Sequence, residues 1–232
     1  MDKDYLDLVA FWNNSMAMDE ESLAKAKEEL NPDEDYKDLA PSPKLREALL
    51  NFKDCHKVLD YGCGSGWASI IMAKSGVSQV ISAEVAPNAI RMVEFYSEAF
   101  GVKEIIKPIL IDEHWLPQES PNQYDGFYCS NVIDVIPLSM AKDIIKASSK
   151  VTTRDAVVIF STNYYIDPQI MKEKGCEVKG SQIYINGILR LNALTDEEWT
   201  KIFKEYYQDV KISYFAWPGE AKETRRIFIL KK

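Results

Sequence analysis

Val58-Leu59-Asp60-Tyr61-Gly62-Cys63-Gly64-Ser65-Gly66 reads as a short apolar strand that carries one acid and breaks into three glycines spaced two apart. Glycines there let the backbone turn sharply and approach a ligand without a Cβ in the way, and the N–H groups opening the next helix favour anionic or polar ligand groups. Trp67 to Ser75 reads as that helix, closed by Gly76. A strand, a tight loop and a helix in succession open a parallel α/β sheet.

Downstream, the pattern repeats. Val80-Ile81-Ser82-Ala83-Glu84 is the next strand, Pro87 to about Ala99 the next helix, with a stop at Gly101. Ile105 to Ile111 is a third strand, Asp125 to Cys129 a fourth, Leu138 to Ser149 a helix, and Ala156 to Phe160 a fifth, fully apolar strand. Such runs, apolar throughout and separated by helices, belong to a sheet covered on both faces. Ile183-Tyr184-Ile185 and Ile188-Leu189-Arg190-Leu191 flank Asn186-Gly187 and predict a two-residue hairpin inserted late in the chain. Thr195 and Glu198 form a capping box ahead of a helix through Trp199, Ile202 and Phe203. Strands near Val210–Phe215 and Arg226–Leu230 then complete a doubly wound, mostly parallel sheet of about seven strands.

Upstream lie three helices: one through Tyr5, Leu8, Val9, Phe11 and Trp12, one from Asp19 to Asn31-Pro32, and one from Ser42-Pro43 to Phe52. The 232 residues suffice for one well-buried domain and are too few for two with a linker, so residues 1–232 are expected to form one domain with 1–54 as a helical cap. With 46% hydrophobic and 28% charged residues, wholesale disorder is excluded. A net charge of -8 without clustered Lys and Arg argues against a nucleic-acid surface. No stretch approaches the roughly 20 apolar residues of a membrane span, and the start Asp2-Lys3-Asp4 lacks a secretory pattern, so a cytoplasmic protein without membrane partners is expected. Cys55, Cys63, Cys129 and Cys176 have no metal-ligand spacing and are expected to be free thiols, with no metal site.

The glycine loop resembles the nucleotide-binding motif of class I S-adenosylmethionine-dependent methyltransferases, in which an acid and any residue precede Gly-x-Gly-x-Gly; here Asp60 leads Gly62, Gly64 and Gly66. The resemblance implies a Rossmann-like fold of the small-molecule methyltransferase type, with S-adenosylmethionine as cofactor and S-adenosylhomocysteine as product. It further implies that the loop, Cys63 included, holds the methionine part, that Asp60 organises the loop, that Glu84 clamps the ribose and that Val85 packs on the adenine. Ile111-Asp112-Glu113-His114-Trp115-Leu116-Pro117 is similar to the family's segment after its third strand, which sets Asp112, with Glu113 beside it, at the adenine amino group. Tyr124 to Pro137 is similar to the fourth motif, which brings Asn131 to the meeting place of cofactor and acceptor. The likeness is good over about residues 56 to 161.

Each acid also has a structural reading: Asp60 as a loop cap, Glu84 as a solvated strand end, Asp112 as a turn residue. Their shared position at the carboxyl ends of successive predicted strands, where open α/β sheets bind ligands, favours a common role. On the acceptor side, Tyr5, Phe11 and Trp12 form either a lid or a core stripe. His114 is a general base or a structural loop residue, and Asp134, like Asn131, lines the transfer site or caps a helix. Tyr164, Tyr165 and Tyr184 are aromatic walls or ordinary strand residues. No catalytic residue is identified. The acidic chain and its helical cap favour a small-molecule acceptor. A dehydrogenase would space its glycines G-x-G-x-x-G, which this loop does not do; a catalytically silent module that binds the same cofactor would keep the loop unchanged.

Overall fold

The apolar runs assemble into a seven-stranded sheet in the computed structural model, which describes residues 3–232. In chain order the elements are α1 (Lys3–Ser15), α2 (Glu20–Glu29), α3 (Pro43–Leu49), β1 (Lys57–Tyr61), α4 (Trp67–Lys74), β2 (Gln79–Glu84), α5 (Pro87–Ala99), β3 (Ile106–Leu110), α6 (Trp115–Gln118) and β4 (Tyr124–Ser130). They continue with α7 (Leu138–Val151), β5 (Thr152–Thr162), α8 (Pro168–Glu173), β6 (Glu177–Lys179), β7 (Gln182–Ile185), β8 (Ile188–Asn192), α9 (Asp196–Phe203), β9 (Asp209–Phe215) and β10 (Arg225–Lys231). The sheet order is β3-β2-β1-β4-β5-β10-β9. The first five strands pair in parallel, and β10 runs antiparallel to both β5 and β9. The chain winds outward from β1 to β3 and returns to β4 on the other side of β1. The crevice of this doubly wound sheet therefore opens at the carboxyl ends of β1 and β4.

Apolar side chains pack on both faces. On one, α3, α4 and α5 bury Leu49, Phe52, Met72, Val93 and Phe100 against Val58 and Val80. On the other, α7 and α9 bury Ile145, Trp199 and Phe203 against Phe127, Phe160 and Phe228, and α1 adds Leu8. The periodicity accounts for the orientation of α7, whose buried positions Ala141, Ile144, Ile145, Ala147, Ser148 and Val151 fall on one face of the helix. No helix among the described residues is long and apolar enough to cross a membrane.

The expected hairpin is present, with Asn186 and Gly187 both at positive φ (54° and 76°), the requirement of a type I′ turn. It is larger than the sequence indicated, because β6 pairs with β7 and makes a three-stranded sheet. Three residues are too few to show a period, and Met171 and Val178 pack on the buried Ile183 and Leu191 only through the tertiary fold. The capping box at Thr195 and Glu198 forms. Strand β5 starts at Thr152, ahead of its apolar run, and a register shift against Tyr124–Gly126 accommodates the exposed Arg154 and Asp155.

Phe203 is fully buried, with ring centroids 5.2 Å from Phe160 and 5.0 Å from Phe228. Phe203→Ala is expected to cost about 3–5 kcal/mol, read as a lower urea midpoint at unchanged slope.

Candidate functional site

Where β1 ends, the loop extends the sheet by one further step: the N–H groups of Gly62 and Cys63 donate to the Ala83 carbonyl of β2 (2.8 and 3.3 Å). Gly62 has φ +68°, and a Cβ there would stand 2.3 Å from the Val132 side chain, so only glycine lets the loop pass beneath the segment after β4. Gly64, at φ +53°, leaves room for a Cβ, which would meet Met16 Cε at an ordinary contact distance of 3.7 Å. Gly66 is the left-handed N-cap of α4, packed on Val93.

Glu84 ends β2 and turns its carboxylate onto the loop. It accepts from Gly64 N–H (3.0 Å), Val85 N–H (2.7 Å) and Ala86 N–H (3.2 Å). Burial raises its pKa while the three N–H donors oppose that rise. Three accepted bonds leave one lone-pair direction of a carboxylate for a ligand. Asp60 lies deeper. It accepts from Ser69 Oγ of α4 (2.6 Å), which also shares a proton with Ser82 Oγ of β2 (2.6 Å), so the acid ties strand to helix instead of bonding the loop N–H groups. Burial pushes Asp60 up to about 7, against the opposing Ser69 bond and helped by the nearby Glu84 charge. Cys63 is buried and its thiol is raised well above its ordinary value by desolvation, which removes it as a nucleophile.

A cavity of about 290 Å³ opens over this edge, at the lower end of the roughly 300–1,000 Å³ typical of small-molecule sites. Asp60, Gly62, Cys63, Gly64, Glu84, Val85 and Asn131 lie on its wall, together with Tyr5 and Trp12 of α1. Asn131 takes positive φ (54°), a conformation Asn tolerates better than other side chains, and donates its N–H to the Ser161 carbonyl (2.9 Å). Among the described residues, the lining includes no Lys, Arg or His.

Helix α1 straps the mouth. Asn13 Oδ1 accepts from Asn88 N–H (2.9 Å) and Asn13 O from Asn88 Nδ2 (2.9 Å), which supplies the α5 N-terminus with the cap that Ala86 cannot provide. At the other side Arg190 of β8 stacks over Phe11 (4.3 Å) and reaches Trp12 (5.7 Å). Phe11 thus anchors the helix to the hairpin sheet and does not line the cavity. The Tyr5 hydroxyl is pushed up to about 12, first by burial and then by Glu113, Glu84 and Asp112.

Several expected residues stand off the cavity wall. Asp112 is exposed and accepts from His114 N–H (2.9 Å) in the turn that opens α6; Glu113 lies beside His114, whose side chain is 73% exposed. Asp134 is fully buried, and one carboxylate oxygen accepts from both the backbone and side-chain nitrogens of Asn163 (2.7 Å each); it braces the segment after β4 against the end of β5. Tyr164 stacks near Arg225 (5.2 Å), Tyr165 is largely exposed, and Tyr184 is buried in the hairpin sheet under Lys179 (4.4 Å). Conversely, Trp67, Tyr128, Met140 and Trp217 line the cavity and were not anticipated. Trp67 follows the third glycine directly, a signal that was available. Trp217 sits in a turn between the last two strands, where no period or loop motif points to it.

The comparisons with known proteins agree with this fold. A family model described as a methyltransferase domain matches residues 33–170. The ubiquinone biosynthesis O-methyltransferase of Bordetella pertussis is 29% identical over 106 residues, 46% of this chain and 42% of that protein. The ribosomal protein L11 methyltransferase of Photobacterium profundum is 24% identical over 135 residues, 53% of this chain and 44% of that one. This chain therefore spans less than half the length of either relative. An S-adenosylmethionine-dependent methyltransferase from Clostridium acetobutylicum shares the fold, with a TM-score of 0.59 at 13% identity, over 88% of this chain and 92% of that one.

Because folding raises Asp60 from 3.8 to about 7, the folded protein holds a proton that the unfolded chain releases. The stability tied to that proton is full below about pH 3.8 and is lost as pH rises through about 7. Asp60→Asn keeps an acceptor for Ser69 and removes the titration, so its stability relative to the parent is expected to increase from pH 4.5 to pH 7.5, measured by urea unfolding at both.

Proposed function

The chain belongs to the methyltransferase-domain family, and from that premise we propose that it binds S-adenosylmethionine at the carboxyl edge of β1 and β4 and transfers the methyl group to a small-molecule acceptor. The observation that carries the reading is the convergence of Asp60, Gly62, Gly64, Glu84 and Val85 on one cavity wall at the point where the strand order reverses. Residues 1–232 act in this reading as one domain, with 1–54 as its cap.

The residues present fit the cofactor. Glu84 keeps one lone-pair direction for a ribose hydroxyl, Gly64 presents backbone without a side chain, and Val85 offers an apolar surface to the adenine. Asp112 and Glu113, whose charges act on Tyr5, would approach the adenine amino group. Asn131, where β4 ends, would stand at the meeting place of cofactor and acceptor. Asp60 acts through Ser69 and Ser82, holding α4 and β2 at a fixed distance from the loop.

When bound, the cofactor supplies an activated methyl group on a sulfonium. The chain's own contribution is alignment and exclusion of water: α1 covers the mouth, and the wall is largely apolar. Holding two reactants in line supplies up to about 7–11 kcal/mol of barrier reduction, so the wall can do this chemistry without a nucleophile. A hydroxyl acceptor gives up its proton in the transfer. The small cavity, whose described lining residues include no cation, and the strap across it support a small acceptor over a folded protein.

Thermal shift with S-adenosylmethionine, S-adenosylhomocysteine and NAD tests the cofactor. The first two are expected to stabilise the protein, by roughly 2.7 kcal/mol at 100 times the dissociation constant; a shift with NAD alone would sink the assignment. Gly64→Arg places a long side chain on the open face of the loop. It is expected to weaken S-adenosylmethionine binding at least a hundredfold by calorimetry, while the circular dichroism spectrum stays that of the parent.

A further inference from the structure

Tyr5, near the start of α1, and Met16, just past its end, both lie on the cavity wall, roughly 16 Å of helix rise apart. Met16 reaches the glycine loop, its Cε 3.7 Å from where a Cβ of Gly64 would stand. Tyr5 lies at the strand-end acids. Its hydroxyl feels the charges of Glu113, Glu84 and Asp112, which end β2 and follow β3. Leu8, one turn further along the helix, belongs to the same buried cluster as Tyr61 of β1, Ala83 of β2 and Ile111 after β3, which seats this part of α1 over those strand ends. The helix therefore covers the site along its length, from the glycine loop to the acids.

The Tyr5 side chain is buried, yet no group among the described residues hydrogen-bonds its hydroxyl. Burial first, and then Glu113, Glu84 and Asp112, push that hydroxyl up to about 12, so it keeps its proton and is a donor at neutral pH. Glu113 is turned inward, its side chain 13% exposed, while the adjacent His114 is directed to solvent. A phenol donor is in this way set among carboxylates without bonding any of them. Ionised carboxylates only accept hydrogen bonds. They suit the N–H and O–H groups of a ligand and cannot serve a ligand atom that itself needs a donor.

We propose that Tyr5 belongs to the cofactor side of the site and not to the acceptor side, and that its hydroxyl donates to a ring nitrogen of the adenine. This deepens the cofactor reading given above and rests on it. The adenosine end of S-adenosylmethionine carries both kinds of group: an amino group and ribose hydroxyls that donate, and ring nitrogens that accept. Glu84, Asp112 and Glu113 match the first kind, and the Tyr5 hydroxyl, standing within reach of all three charges, matches the second. A donor set among acceptors distinguishes adenine from a purine with a carbonyl at the six position, whose neighbouring nitrogen carries a hydrogen and needs no donor. Helix α1 is on this account part of the cofactor pocket, contributing a directional contact as well as cover.

Tyr5→Phe removes the hydroxyl and keeps the ring. The test titrates the full chain, parent and variant, with S-adenosylhomocysteine and with its 1-deaza, 3-deaza and 7-deaza analogues, each lacking one ring nitrogen. The parent is expected to bind at least one analogue fivefold or more weakly than S-adenosylhomocysteine, the loss of one uncharged hydrogen bond. Tyr5→Phe should lose a similar factor for S-adenosylhomocysteine and lose no more than twofold for that analogue, because either change alone already breaks the bond. A Tyr5 that served only packing would weaken all four ligands by one common factor, and that result overturns the proposal. So does unchanged S-adenosylhomocysteine affinity in Tyr5→Phe, or a parent indifferent to all three analogues. A parent that binds none of the four overturns the cofactor reading, and the role of Tyr5 falls with it.

Discussion

The Glu84 carboxylate governs the geometry of the site. By accepting from the N–H groups of Gly64, Val85 and Ala86 it joins the end of β2, the glycine loop and the approach to α5 in one buried knot. A carboxylate so far from water is tolerated only because backbone donors replace its hydration. The result is a loop whose open face is directed into the cavity. Neighbouring contacts depend on it: Gly62 lies against Val132, and Asp60 sets the depth of α4 through Ser69.

A second layer of buried polar contacts stiffens the segment after β4. Arg226 is almost fully buried, with Nε donating to Asn163 O (2.9 Å) and Nη1 to Leu194 O (2.7 Å) and Asp196 Oδ1 (3.3 Å). Asn163 meets Asp134, and Asn192 Nδ2 donates to the carbonyls of Ile133 and Ile136 (3.1 and 2.7 Å). Ends of β5, β8 and β10 are in this way bound to the segment after β4. Buried charges of this kind add little net stability, since desolvation offsets the attraction. What they define is position, and the wall that carries Asn131 is built on them.

Helix α1 completes the enclosure from outside the sheet. Its attachments are the buried Leu8 and Tyr5 beneath it, the Asn13–Asn88 hydrogen bonds on one side and Arg190 over Phe11 on the other.

Much of this was legible in the residues themselves. The alternation of apolar runs and helices, the glycine spacing after Asp60, the Asn186-Gly187 turn and the Thr195–Glu198 cap are local signals, and local sterics and hydrogen bonding enforce them wherever the chain goes. The acids at the strand ends were legible as a group, but their partners were not: Asp134 reads like a site residue in sequence and proves to be a brace, because one of its oxygens meets Asn163, just after β5, which only the fold brings near. Trp217 carried no periodic signal, and Tyr128 was legible only as a residue of its strand. Their significance arises where β4 and the β9–β10 turn, about ninety positions apart in the chain, face one cavity. Backbone preference and apolar period act over a few residues and determined the elements; long-range packing decided which side chains share a wall, and no local rule encodes that.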